Sequence, residues 1–304
     1  MADDDSDDDS GESFLTDGPE GDQPMSFFDH LAELRKRLLR SVIAVVGGFI
    51  LAWVFVADLR ELLTQPLADA WMSIEQLVAL EPKPKLQNLG VFDAFLVDIR
   101  IAVTGALFVS GPIVFYQVWQ FVAPGLYARE KKVVVPFAAT SAVMFIGGAL
   151  FCYFTVVPIA TEWFLEYPLG DGASENVSIL PAYTFADYIK YMTRLLLAFG
   201  VVFEFPLLIF FLAKIGAVTH KTLIRHWKIS VVGAFVIGAF LTPPEPITQM
   251  LMALPMVVMY FTSVGVAYWA SKPYREQMER LERELAEAEE AEAEEDDEDD
   301  EDAW

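Results

Sequence analysis

A chain of 304 residues, 54% of them hydrophobic, with a mean hydropathy of +0.37 and 24 phenylalanines, is too apolar for an ordinary soluble domain of its size and reads as a membrane protein. The formal net charge of −23 conflicts with that reading only until the chain is divided: residues 1–24 hold 10 acids and no base, residues 275–304 hold 17 acids and three arginines, and residues 25–274 carry 17 acids and 18 bases. The single cysteine, Cys152, excludes a disulfide framework and a Cys-based metal site within one chain.

The near-neutral body suits a bilayer-embedded domain, whereas the two acidic tails cannot bury enough apolar surface to fold alone. Residues 1–24 are expected to form a disordered cytoplasmic tail, residues 25–270 a membrane domain, and residues 271–304 a second acidic cytoplasmic tail. Such tails serve either as solvated extensions, as in proteins adapted to high salt, or as docking segments. Residues 1–24 have no basic and no apolar region, so no cleaved signal peptide is expected.

Ser26 followed by Asp29 fits a helix N-cap with an acid in the first turn, and the amphipathic stretch His30–Arg40 leads into the apolar run Leu38–Ala57. That run is about 30 Å of helix, the thickness of a hydrocarbon core, and forms the first crossing. Residues 58–91, with Pro66, Pro82, Pro84 and charges of both signs, are expected to be an external loop with a short helix near Leu67–Leu80. The second span, Phe92–Phe121, contains Pro112, which should kink it, and Pro124-Gly125 should close it. The third, Val133–Thr161, carries a Gly147-Gly148 pair that would let a neighbouring helix approach closely. Residues 162–186 lack Lys and Arg and read as another external loop. The fourth span, about Asp187 to Ala213, includes Glu204 and Pro206. The fifth, Ile229–Leu241, has only 13 residues, and the turn Pro243-Pro244-Glu245-Pro246 separates it from the sixth, Ile247–Ala267. The expected fold class is all-α: a polytopic membrane protein with six transmembrane helices, the last two short.

Orientation follows from Lys and Arg in the short connections. With the N-terminus in the cytoplasm, the cytoplasmic side collects 12 bases, from Arg35 to Lys272, and the outer loops only Arg60, Lys83 and Lys85. The acids are biased the other way, with Asp29, Glu33 and Glu130 alone inside and Asp98 and Glu204 within spans. Both termini are therefore expected in the cytoplasm.

Four segments could carry function. His30, Glu33, Leu34 and Arg37 are spaced i, i+3, i+4, i+7 and share one helix face. They make either a local Glu33–Arg37 pair on a solvated helix, contributing about 0.2–0.5 kcal/mol, or a carboxylate presented to a cationic ligand. Tyr116 to Lys132 is an aromatic-belted helix end and loop whose single acid, Glu130, sits among Arg129, Lys131 and Lys132 on the same side as Glu33. Two carboxylates at one face could each accept a forked guanidinium pair, a geometry that separates Arg from Lys. Glu204, in Phe199–Pro206, is an acid within a lipid-spanning helix. Such a residue is costly unless it faces protein or water, so it is either functional or a protonated acid bonded to a neighbouring helix. The fourth segment, Leu241–Gln249, joins two short spans; 13 residues of helix is about 20 Å, so the bilayer should thin there or the helices should be shielded.

In this order the four segments resemble the TatC family, receptor subunits of the twin-arginine protein translocase: HLAELRKRL at 30–38, YQVWQFVAPGLYAREKK at 116–132, GVVFEFP at 200–206 and LTPPEPITQ at 241–249. The resemblance covers roughly residues 25–270. It implies a receptor in the cell membrane for signal peptides with paired arginines on folded cargo, driven by the proton gradient. It also implies single-span TatA-type partners, in some systems TatB-type partners as well, and an oligomer in the assembled translocase. Residue by residue, it assigns Glu33 and Glu130 to the two arginines, with Arg35, Arg37 and Phe121 in the supporting surface. Glu204 and Pro112 fall in a membrane groove, and Thr242, Gln249 and Glu245 where a partner helix docks. The family usually has Asp where Glu245 stands, so charge is kept there and length is not. No cofactor or metal is implied, and nucleic acid is not an expected partner.

The competing class is a secondary solute transporter or channel with its path at Glu204. The absence of an internal repeat weakens it, since many such transporters are built from paired halves. No G-x-S-x-G, H-E-x-x-H or G-x-x-x-x-G-K-[ST] occurs, so enzymatic activity is not expected.

Overall fold

The computed structural model describes residues 27–122, 134–169, 183–241 and 246–271, together with Arg283. Six helical passes alternate between two ends of a bundle, called here the near end, where the first helix begins, and the far end. α1 (Phe27–Val54) runs to the far end, where α2 (Val56–Ser73) and α3 (Glu75–Leu80) lie; α4 (Asp93–Val122) returns. α5 (Val134–Phe151), a π turn (Cys152–Val156) and α6 (Val157–Glu166) make the third pass. α7 (Phe185–Phe203) and α8 (Phe205–Lys214) make the fourth, the short α9 (His220–Arg225) crosses the near end, and α10 (Trp227–Leu241) and α11 (Pro246–Ala270) complete the bundle. Five passes are long and apolar enough to cross a membrane, and α10, with 15 residues, is the shorter sixth. Among the described residues there is no strand, only an isolated bridge between Gln87 and Thr184.

Three segments depart from the sequence expectation. Residues 58–91 are mostly helical rather than a loop with one short helix near 67–80. In α2, Leu63, Pro66, Leu67, Ala70 and Trp71 fall at i, i+3, i+4, i+7 and i+8, and these are its buried residues. The third pass does not stop at Thr161 but continues to Leu169, ending in a 3₁₀ turn. The sixth is longer than expected: α11 has 25 residues and passes Ala267 at the near end.

α4 is central, packing along α1 on one side and against α5 and α7 on the other, while α8 and α10 pack on α11 and α2 lies on α6. The main apolar core occupies the far half and includes Leu67, Trp71, Ile101, Val156, Ile189 and Phe199. The α5–α7 contact rests on glycine. A Cβ on Gly148 would stand 2.5 Å from the Phe199 carbonyl oxygen, and one on Gly200 would stand 2.6 Å from the Phe145 ring. Gly147, the other half of the pair, faces open space.

Backbone polar groups at this depth must be paired inside the protein, and prolines create gaps in that pairing. Pro66 has no N–H to offer the Leu62 carbonyl one turn earlier; the Tyr153 hydroxyl donates to that oxygen instead, at 2.9 Å. Pro168 likewise frees the Phe164 carbonyl, which accepts from the Tyr183 hydroxyl at 2.7 Å. Tyr188 donates to Leu63 O at 3.0 Å. At Pro158 the chain loosens into the π turn that joins α5 to α6. Asp98, an acid in the second span, is held by Arg60 of α2 with Nε···Oδ1 3.0 Å and Nη2···Oδ2 2.5 Å. Its position in a span therefore has a structural cause.

Two outcomes follow. Gly148→Ala should lower the unfolding midpoint in detergent by the equivalent of about 1–3 kcal/mol of overpacking, whereas Gly147→Ala should leave it unchanged; equal effects would refute the glycine contact. Tyr153→Phe should cost about 1 kcal/mol, but close to nothing in a Pro66→Ala background, where residue 66 again offers an N–H to Leu62. An unchanged cost in both backgrounds would show that the tyrosine serves another purpose.

Candidate functional site

Because α1 and α4 run antiparallel, the first turns of α1 meet the last turns of α4 at the near end. There Arg37 Nε donates to Glu33 Oε1 at 3.0 Å, its Nη2 donates to the same oxygen, and its Nη1 donates to Gln120 Oε1. The His30 ring stacks on Phe121 with centroids 4.5 Å apart. The Arg37 and Glu33 side chains are only 14% and 20% exposed, so the pair is not the solvated surface bridge that spacing alone allowed. Arg37 spends all three of its described hydrogen bonds on one oxygen of Glu33 and on Gln120. Glu33 Oε2 is buried and has no hydrogen-bond partner among the described residues. A carboxylate oxygen held in that state is expensive to leave unpaired and is poised for a cationic donor.

Not all of the expected surface converges here. Arg35 is two residues, or about 200°, around the helix from Glu33 and is exposed on the other side. Leu34 is exposed as well. Pro112 is exposed on α4 two turns from Gln120, and α4 continues through it unbroken. Glu130, the Pro124-Gly125 turn, Thr242 and Glu245 lie outside the described residues.

The second polar site is deep in the bundle. Pro206 cannot donate to the carbonyl one turn back, and the fourth pass breaks there into α7 and α8 with Glu204 at the junction. The Ser141 hydroxyl of α5 and the backbone at Phe145 face its carboxyl group. Ser141 in turn accepts from Trp119 Nε1 of α4 at 2.7 Å, and Trp119 is fixed edge-on between Phe137 and Phe211. Three helices thus converge on one carboxyl, whose Oε1 is buried and has no hydrogen-bond partner among the described residues.

At the far end Gln249 of α11 donates through Nε2 to Phe235 O of α10 at 2.9 Å, tying the two helices together. Apolar cavities of about 350 and 550 Å3 flank α10. No group of three or more His, Cys, Asp or Glu able to hold a metal occurs among the described residues.

Sequence reasoning missed Gln120, the His30–Phe121 stack, Ser141 and Trp119. A signal existed for the glutamine: Gln117 and Gln120 are polar residues one turn apart in a long apolar helix, and Gln117 is buried with its Oε1 unpartnered among the described residues.

Comparison with known proteins matches this architecture. The family model for Sec-independent protein translocase protein (TatC) aligns with residues 29–255. The Sec-independent protein translocase protein TatC of Campylobacter jejuni is 37% identical over 235 residues, covering 77% of this chain and 90% of its own. The protein of that name from Carboxydothermus hydrogenoformans is 36% identical over 247 residues, covering 81% and 94%. A crystal structure of the twin arginine translocase receptor TatC superposes with a TM-score of 0.67 at 33% identity, over 80% of this chain and 100% of that one. With the six-pass bundle, the broken fourth pass and the near-end carboxylate all in hand, the chain belongs to the TatC family of Sec-independent protein translocase proteins.

Proposed function

We propose that this chain is the signal-peptide receptor of a twin-arginine translocase in the cell membrane, with its near end and both acidic tails in the cytoplasm. A member of this family is a translocase component and not an enzyme, and the solute-transporter reading finds no support in the family assignment. The observation that carries the reading is the state of Glu33. Arg37 occupies one carboxylate oxygen and orients the group, while the other oxygen is buried without a partner among the described residues.

An incoming arginine would satisfy that oxygen. The second arginine of the pair would go to Glu130, across the surface made by Arg37, Gln120 and Phe121. The apolar part of the signal peptide would then run past Pro112 toward Glu204. The sequence bias of 12 bases in the segments expected on the cytoplasmic side against three in those expected outside supports the cytoplasmic orientation. TatA-type and TatB-type single-span subunits would dock along α10 and α11, at Thr242, Glu245 and Gln249. With no nucleotide motif in the sequence, the proton gradient is the source of work. Arg35, on the opposite flank from Glu33, would meet the mature cargo or lipid headgroups rather than the arginine pair. The tails of residues 1–24 and 271–304 would act as solvated acidic extensions of the membrane domain.

Each charge-assisted hydrogen bond from a guanidinium to a carboxylate contributes about 1.5–3 kcal/mol, or roughly tenfold to over a hundredfold in affinity. Glu33→Gln and Glu130→Gln should each weaken binding of a twin-arginine peptide by at least about tenfold and erase its preference over a twin-lysine peptide. An unchanged Arg-to-Lys ratio would remove the assignment. Glu204→Ala, and lengthening of α10 by one turn, should each cut export of a folded cargo into energised vesicles severalfold while peptide binding at the near end persists. Intact export in both variants would end the proposed role of the groove and the short helix.

A further inference from the structure

α6 rises to the far end and α7 descends from it, so four residues along either helix change the depth by about 6 Å. Between the two helices and Leu67 of α2 lies a cavity of about 190 Å3. Asp187 of α7 stands at its outer level, and the rings of Phe164, Tyr183 and Tyr188, with Leu165, form its walls. One turn deeper, Thr161 of α6 and Tyr191 of α7 line its inner level. The cavity is at the opposite end of the bundle from Glu33, and α10 and α11 take no part in it.

The walls are held in place from behind. The Tyr183 hydroxyl donates to Phe164 O at 2.7 Å and the Tyr188 hydroxyl to Leu63 O at 3.0 Å, while the Tyr191 ring stands edge-on to Phe164 with centroids 5.7 Å apart. The inner hydroxyls are in a different state. Thr64, Thr104, Thr140 and Thr193 each donate to the carbonyl one turn back on their own helix. Thr161 is only 3% exposed, yet neither its Oγ1 nor the buried Tyr191 hydroxyl has a hydrogen-bond partner among the described residues. Hydroxyls buried in that way are costly unless a ligand or water meets them. At the outer level the exposed Asp187 carboxylate accepts from Thr184 Oγ1 at 2.7 Å through Oδ2. No base is within ion-pair distance of it among the described residues, and residues 162–186 contain no Lys or Arg. A water would satisfy the inner hydroxyls but leave the aromatic walls unfilled. Hydroxyls within, aromatic walls and a carboxylate at the mouth describe a flat apolar body with a hydroxyl at one end and an ammonium at the other.

We propose that the cavity between α6 and α7 is a binding site for a small hydroxyaryl ammonium cation. Its hydroxyl meets Thr161 and Tyr191, its ring packs between Phe164, Tyr183 and Tyr188, and its ammonium meets Asp187 at the mouth. The site is independent of the signal-peptide reading, since it shares no residue with the near-end surface or with the Glu204 groove.

The test titrates the purified full chain in an uncharged detergent with three probes, followed by calorimetry: tyramine, 2-phenylethylamine, which lacks the hydroxyl, and 4-ethylphenol, which lacks the ammonium. Tyramine should bind to saturation, and each of the other two about tenfold more weakly. Thr161→Val and Tyr191→Phe keep the shape of the cavity and should each reduce the advantage of tyramine over 2-phenylethylamine. Asp187→Asn should remove its advantage over 4-ethylphenol. The unfolding midpoint of each variant without ligand reports whether the fold is kept, and if one hydroxyl variant fails to fold the other carries the same comparison. Three results would each overturn the proposal. The first is no saturable binding of tyramine by the wild type. The second is equal affinity for all three probes, which is partition into an apolar void or the detergent. The third is an order of affinities that the folded variants leave unchanged, which places the bound probe elsewhere on the protein.

Discussion

Backbone hydrogen bonds cannot be left open in hydrocarbon, and the architecture of this bundle follows from how it meets that demand around its prolines. Each proline removes one donor and crowds the carbonyl a turn earlier. At Pro66 and Pro168 a tyrosine from another segment supplies the missing donor, so the repair also fastens the far-end helices to one another. At Pro158 the repair is a π turn, which lets the third pass bend and continue. At Pro206 the helix breaks instead, and the residue at the break is Glu204. A carboxyl within the fourth pass thus sits where the backbone is already irregular, with Ser141 of α5 beside it and Trp119 of α4 behind that serine.

The polar groups within the spans divide by whether the protein satisfies them. Asp98 is fully engaged by Arg60, and the pair locks α2 onto α4. Glu33 is half engaged: its partner Arg37 holds one oxygen and is itself steadied by Gln120. Glu204 has close neighbours and a buried oxygen to spare. Leaving such groups unpaired costs more than pairing them returns, which is why the proposed function is built on Glu33 and Glu204 and not on Asp98.

Length also acts as a constraint. α10 spans about 22 Å and its neighbours considerably more, so the far surface is stepped rather than flat. Arg194 of α7 reaches the Phe240 carbonyl in the last turn of α10, and the α10–α11 hairpin keeps apolar flanks for lipid or another helix to cover.

The sequence by itself determined the number of passes, the side on which basic residues gather, the short fifth pass and the family, because hydropathy over about 20 residues, charge bias and four ordered motifs are local properties that need no fold to read. It also carried the helical period of α2, although Pro66 and scattered charges disguised that segment as a loop. Only the tertiary structure decided that Gly148 and not Gly147 makes the helix contact, that Arg37 reaches Gln120 some eighty residues away while Arg35 faces elsewhere, that Ser141 and Trp119 stand behind Glu204, and that Tyr153 and Tyr183 complete carbonyls in other segments. Those pairings depend on the rotation and depth at which antiparallel helices settle against one another. A difference of one residue turns a side chain by about 100°, and no local pattern in the chain encodes which neighbour then meets it.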